Sequence, residues 1–273
     1  MFFKIIIYIL LVIGAIITLY PFLFMVGSSF KSVDQIFSLP PNIIPNKLVF
    51  TGYIQLFFED FRFTKWYLNS VFVTLVRIII SLFLCSIAGF AFAKYRFRYQ
   101  KLLFVFIIAS IMIPFEALFV PLYIIMINFG WINSYKALIV PWAANAFGIF
   151  LMRQFMISIP NEIIDSAKVD GASGFRIYWQ IAVPLSKPAF GALGIVLFLS
   201  TWTSFSWPLI VLHNPDKFTL PLGLATFASN FETGDFWVAM MSGSVLVSIP
   251  IILIFIIFQK QFVHGLTLGS VKG

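Results

Sequence analysis

The side chains able to do chemistry are few, and they sort into three sets. The first is acidic. Glu162, Asp165 and Asp170 lie in the one long polar stretch, residues 153–188, interleaved with Ile163 and Ala167 and followed by Gly171 and Ala172. Glu162 and Asp165, three apart, share a helix face. The second set is two isolated charges, Arg77 and Glu116, each inside an apolar run. The third is Trp202, Ser204 and Trp207 around Pro208, which offer ring faces and a hydroxyl. Nucleophilic and metal chemistry have little footing. Cys85 is the single cysteine, and His213 and His264 stand far apart. No G-x-x-x-x-G-K-[ST] phosphate loop occurs, so the expectation is a chain that is not itself an enzyme, with no cofactor or metal of its own.

The elements that carry these residues follow from composition. Of 273 residues, 61% are hydrophobic and 10% charged, with mean hydropathy +1.01. Soluble domains carry about 25% charged residues. A chain of this size must still present a surface, so its apolar surface faces lipid. The net charge of +8 does not point to nucleic acid, because the basic residues sit in short loops between apolar runs. The fold expected is an all-α membrane protein of about six spans, since lipid-exposed backbone must satisfy its own hydrogen bonds.

The candidate spans are Ile5–Val26, Tyr67–Ala93, Leu102–Phe129, Ala137–Leu151, Ala189–Leu212 and Trp237–Phe258. The first stretch begins with Lys4 like a signal peptide, but its length favours a spanning helix. Pro114, Pro121, Pro208 and Pro250 lie in or near spans, where each favours a kink. Residues 1–30 form the first span, 31–66 an irregular external segment, 67–260 the core and 261–273 a tail. Lys94, Arg96, Arg98 and Lys101 crowd one short loop without an acid, which places that loop and both termini in the cytoplasm. Arg77 then lies roughly 15 Å from the outer end of its span and Glu116 roughly 21 Å from the inner end of its own. Both fall near mid-membrane, where a charge faces a cavity or a partner. They border a transport path or form a structural ion pair. Trp207 fits an interfacial aromatic belt as well as a binding role.

Segment 153–188 reads as two short helices. Pro160 suits a first helical turn, Glu162 and Asp165 suit its positive end, and Gly171 sits where a left-handed residue ends a helix. Ile159, Ile163 and Ala167 recur every four residues as one apolar face. A second helix runs over about 175–182 until Pro184 blocks it. Such a hairpin either merely connects two spans or presents a surface to another protein.

The same residues resemble the EAA motif of binding-protein-dependent ABC importer permeases, E-A-A-x3-G-x9-I-x-L-P. It stands here as Asp165-Ser166-Ala167, Gly171 and Ile181-Ala182-Val183-Pro184 with both spacings kept. Asp165, Ser166 and Val183 depart from the motif in type. Asp170-Gly171-Ala172-Ser173 is similar to the D-G-A-S of the sugar-importing branch. Asn69-Ser70, Ala91–Phe97, Trp207-Pro208-Leu209 and the C-terminal residues extend the likeness over nearly the whole chain, nearest to the maltose-permease type.

The resemblance implies a type I ABC importer permease fold whose loop is a coupling helix, with Glu162, Ile163, Asp165, Ala167, Asp170, Gly171, Ala172, Ile181 and Pro184 at the contact with a cytoplasmic ATPase. It implies a second homologous permease subunit, two ATP-binding subunits that use ATP and Mg, an extracytoplasmic solute-binding protein and a carbohydrate cargo. Arg77, Glu116, Trp202, Ser204 and Trp207 are then candidates for the substrate path. The family often has Asn where Thr203 stands. The alternatives are a permease for a solute such as glycerol phosphate, which Arg77 would suit, and a secondary transporter, which would tend to show internal repeats and more intramembrane acids.

Overall fold

The computed structural model describes residues 2–38, 40, 42–58, 62–228 and 235–267. Among these, every regular element is helical. The main helices are α1 (Phe2–Ser28), α2 (Thr51–Phe58), α3 (Phe63–Lys94), α4 (Gln100–Ile111), α5 (Phe119–Asn128), α6 (Tyr135–Ile139), α7 (Ala146–Ile157), α8 (Asn161–Val169), α9 (Gly174–Ile177), α10 (Lys187–Trp202), α11 (Ser206–Val211), α12 (Leu220–Ala228) and α13 (Asp235–Thr267).

Three helical stretches are each long and apolar enough to cross a bilayer alone: Phe3–Ser28, Phe63–Lys94 and Phe236–Gln259. Three bent pairs bring the number to as many as six if each pair is one span. The third and fourth expected spans are therefore broken; the third pair bends at Ser186, ahead of the expected fifth span, which is interrupted instead at residues 203–205. α4 and Phe115–Asn128 meet at 100°. Pro114 lacks an amide donor and keeps Ile113 out of the helical region, so the chain restarts with a 3-10 turn, Phe115–Leu118. Tyr135–Trp142 and α7 meet at 41°, and α7 restarts where the Asn145 side chain accepts from the Gly148 amide at 2.6 Å. Gly174–Leu185 and α10 meet at 80°. α10 ends at Trp202, so the break before α11 falls at residues 203–205, ahead of Pro208. Pro250 lies inside α13 without ending it.

The chain divides into two compact units, each described by itself. One comprises Met1–Leu68 and Phe218–Ile251. Within the segment expected to be irregular, α2 forms and α3 starts at Phe63, ahead of Tyr67, while the described residues between Phe37 and Phe50 carry no regular element. The Val49 amide donates to the Phe30 carbonyl at 2.9 Å, and Ser29 and Tyr53 share a 2.9 Å hydroxyl contact. Lys31 is buried; its ammonium donates to the Asn42 carbonyl and lies 5.1 Å from the Phe24 ring centre. Gly52 is required where it stands, because a Cβ there would collide with the Val238 carbonyl and Ser242 Oγ.

The other unit comprises Asn69–Lys217 and Ile252–Gly273. Its core joins Cys85 and Phe90 of α3, Met152 and Met156 of α7, and Ala189, Leu193 and Leu197 of α10 to residues of segment 153–188. α3 and α7 cross closely at Gly89, where a Cβ would stand 2.7 Å from Met152 Cβ and 2.8 Å from the Arg153 nitrogen. The expected tail is helical to Thr267, and its end, Val271-Lys272-Gly273, lies outside the described residues.

Candidate functional site

The site expected to meet another protein is built around α8. Its sequence sets both ends. Pro160 occupies the cap position, one residue ahead of the first turn, and Glu162 follows in that turn. Lys168 lies in the last turn, so acid and base both complement the helix dipole. The helix stops at Gly171, whose φ is +78°. The Gly171 amide donates to the Lys168 carbonyl at 3.0 Å, and the Ala172 amide donates to the Ala167 carbonyl at 2.9 Å. This pair of bonds is a Schellman ending. Ser173 then caps α9, accepting from the Arg176 amide at 3.3 Å.

Beyond α9 the backbone widens into a π-helical turn, Tyr178–Ala182, followed by a single α-turn, Val183–Leu185. The second helix was expected to stop at Pro184. Instead Pro184 sits at the start of that α-turn, and the widened π turn directly precedes it. Helical structure therefore runs to Leu185.

Burial separates the face that anchors the segment from the face it offers. Ile159, Ile164, Ile177, Tyr178 and Ala182 are buried in the core, with Ala167, Ala172 and Ile181 packed against it. Ile163 is 40% exposed and Ile164 3%, so the apolar face runs through Ile164 and not Ile163. The exposed face carries Glu162, Ile163, Asp165, Ser166, Val169 and Asp170, with Val169 87% exposed. Asp165 pairs with Lys168 at 2.8 Å along that surface. Pro184 is also exposed. The arrangement offers a rigid, acidic surface with two apolar side chains in it, able to fill a groove that has basic walls.

Two anchors were not evident from sequence. The Lys94 ammonium, at the end of α3, donates to the Ile157 carbonyl at 3.4 Å, to Asn161 Oδ1 at 3.0 Å and to the Ile159 carbonyl. The Tyr178 hydroxyl meets Ser86 Oγ of α3 at 2.7 Å in a buried contact. A tyrosine embedded in an otherwise solvated loop was the available signal for the second. The first has none, because its acceptors are mostly backbone carbonyls.

The family model described as "Binding-protein-dependent transport system inner membrane component" matches residues 81–267, which contain this whole segment. The chain belongs to that family. It is 35% identical over 261 residues to the arabinooligosaccharides transport system permease protein AraQ of Halalkalibacterium halodurans, covering 95% of this chain and 93% of that protein. It is 33% identical over 269 residues to the lactose transport system permease protein LacG of Rhizobium radiobacter, covering 97% and 95%. In fold it matches the crystal structure of a bacterial ABC transporter involved in the import of the acidic polysaccharide alginate, with TM-score 0.88 and 24% identity over 96% of each chain. The chain is thus a multi-pass membrane permease subunit of the ABC importer type.

Of the intramembrane candidates of the permease, Arg77 and Trp207 both meet Trp142, and Glu116 follows Phe115 of the same aromatic cluster. Arg77 is half-buried, its guanidinium carbon 5.4 Å from the Trp142 ring centre. Its Nε is buried without a partner. Glu116 is exposed on the 3-10 turn between α4 and α5, and among the described residues no ion pair joins it to Arg77. Trp207 is buried, donates from Nε1 to the Ala137 carbonyl at 2.9 Å, and packs with Phe115, Phe119 and Trp142. That places it in a structural aromatic cluster. Trp202 is buried and stacks on Phe198 at 5.5 Å, and Ser204 is half-buried in the break after α10.

Proposed function

We propose that the chain is one of two permease subunits of an ATP-driven importer for oligosaccharides, and that α8 is its coupling helix. The observation that carries this reading is α8 itself: an acidic, partly apolar face is left bare while the opposite face is fastened by Ile164, the Schellman ending and Lys94. A helix so held can transmit force only if something grips the bare side. On this reading a cytoplasmic ATPase receives Glu162, Ile163, Asp165, Val169 and Asp170 in a groove. Two such ATPases bind ATP and Mg, and this chain hydrolyses nothing. A second permease subunit completes the path, and an extracytoplasmic binding protein delivers the cargo. Both termini are cytoplasmic, consistent with the basic loop Lys94–Lys101.

Transport follows by alternating access. ATP-driven closure of the partners moves the two coupling helices, and the spans reorient from outward-open to inward-open. The coupling exists only in so far as α8 has different contacts in the two states. The oligosaccharide assignment is supported by AraQ and LacG together with the Asp170–Ser173 likeness. Arg77 supports a second reading, an anionic solute such as a glycerol phosphate, because it presents a cation that no acid among the described residues neutralises.

Purification of the tagged chain from membranes tests the assembly. An ATP-binding subunit and a second permease should co-purify, and arabino- or galacto-oligosaccharide bound to the binding protein should raise ATP hydrolysis. Stimulation by glycerol phosphate instead would select the second reading. Absence of any ATPase, or labelling of segment 153–188 from outside the cell, would defeat the proposal.

A further inference from the structure

The covalent neighbours of α8 are poor levers. On one side residues 158–160 separate it from α7. On the other, the chain passes through Gly171, a π turn and an 80° break at Ser186 before α10 begins. Non-helical residues and breaks absorb motion. α3, by contrast, runs unbroken from Phe63 to Lys94 with no proline in it.

Segment 153–188 is fastened along the C-terminal end of α3 and the residue after it; Arg153 Nε donates to the Phe92 carbonyl at 3.4 Å. Lys94 gathers the Ile157 carbonyl at the end of α7, the Ile159 carbonyl of the linker and the Asn161 side chain at the start of α8. The Glu162 and Asp165 carboxylates add electrostatic attraction. One residue on, the Tyr95 hydroxyl lies against Gly174, where a Cβ would collide with it. Two helical turns deeper, Ser86 bonds Tyr178. Arg77 stands on the same helix roughly 25 Å from Lys94 at 1.5 Å per residue.

We infer that α3 is the lever of the permease and that Lys94 is its positioning residue: its ammonium converts a displacement of α8 into a displacement of the span that carries Arg77. An ammonium suits this work because its three donors fill three acceptors at once, and those acceptors come from both sides of the hinge between α7 and α8. Arginine can bridge the same acceptors, whereas methionine keeps the length and loses every donor. The inference rests on the proposed docking of α8 on an ATPase, and the experiment separates the two.

The full complex is purified through a tag on this chain, with Ile79→Cys carrying a nitroxide. Position 79 is exposed on α3, and the native Cys85 is buried. The unlabelled-position control is the same complex without Ile79→Cys. With native Lys94, adding ATP and vanadate changes the nitroxide spectrum. With Lys94→Met, the ATPase still co-purifies and still hydrolyses ATP, but the spectral change is largely lost. Lys94→Arg retains most of the change, and Asn161→Ala, which removes one exposed acceptor, loses part of it. The inference is overturned by an unchanged spectrum in the native complex, by a full response in Lys94→Met, or by loss of the ATPase from Lys94→Met and Asn161→Ala, which would make the contact a docking support alone. If the native chain brings down no ATPase, it is the coupling-helix reading that falls.

Discussion

The Ala172 amide donates to the Ala167 carbonyl at 2.9 Å, closing the end of α8 around Gly171. Both alanines also pack against the core, so the bond fixes where the exposed carboxylates of α8 point. It can form only because Gly171 adopts φ +78°. A Cβ at Gly171 would meet nothing within 4 Å, so the demand for glycine is conformational and not steric.

Gly171→Ala should therefore cost about 1–2 kcal/mol, the left-handed penalty of an L-residue. Gly171→Val should cost more, because a branched Cβ tolerates positive φ poorly. Gly171→Asn should be the mildest, since asparagine is the usual substitute at this position. All three should reach the membrane. Co-purification of the ATPase should fall in the order Asn, Ala, Val, with the detergent melting temperature of the isolated chain falling in the same order. ATP-dependent transport at the native rate by Gly171→Val would count against the docking role of α8.

Ser86 and Tyr178 yield a test of the second fastening. Ser86 Oγ also donates to the Phe83 carbonyl at 3.1 Å, so the shared proton of the 2.7 Å contact comes from Tyr178. Ser86→Ala leaves a buried phenol without an acceptor and should cost about 1–3 kcal/mol, whereas Tyr178→Phe should cost about 1 kcal/mol. The double variant should be less destabilised than the two singles added together, by at least about 0.5 kcal/mol. Thermal unfolding of the four proteins measures the cycle, and strict additivity would show that the contact contributes nothing.

Local chemistry explains what the sequence reveals of this site and what it conceals. The ending of α8 is readable because Gly171, Ala167 and Ala172 lie within one turn of each other. The core face is not, because Ile163 and Ile164 are adjacent and four-residue spacing from Ile159 favours the wrong one. Taking Ala167 as the inward residue of the Schellman ending points three residues back to Ile164 and resolves it. Apolar length reveals the number of candidate spans, but proline does not reveal which are broken. Pro114 precedes a 100° bend, while Pro250 sits in a continuous helix. Lys94 marks topology in the sequence and fastens α8 in the fold, because its partners lie 63 to 67 residues away.

Lys31 gives a prediction with a defined sign. Burial lowers its pKa below the ordinary 10.5. Between the folded and unfolded values the unfolded chain binds more protons, so stability rises with pH through that window and is flat below it. The melting temperature of the native chain should climb on the alkaline side as pH approaches 10.5. The climb should be absent in Lys31→Met. An equal climb in that variant would assign it to other groups.

Arg77 and Glu116 were candidates for an intramembrane ion pair, and their surroundings argue otherwise. Arg77 lies over the Trp142 ring, a cation–π contact of about 0.5–2 kcal/mol, and Glu116 is exposed on a turn. A swap, Arg77→Glu with Glu116→Arg, should therefore fail to restore uptake lost in the single variants. It would place a carboxylate against an electron-rich ring face and leave Trp142 without its cation. Arg77→Lys should retain part of the activity, because an ammonium can still sit over the indole. Glu116→Gln should leave membrane yield at the native level and unfolding free energy within about 0.5 kcal/mol of native, as for a surface substitution. Uptake by the swapped protein at more than half the native rate would re-establish the pair.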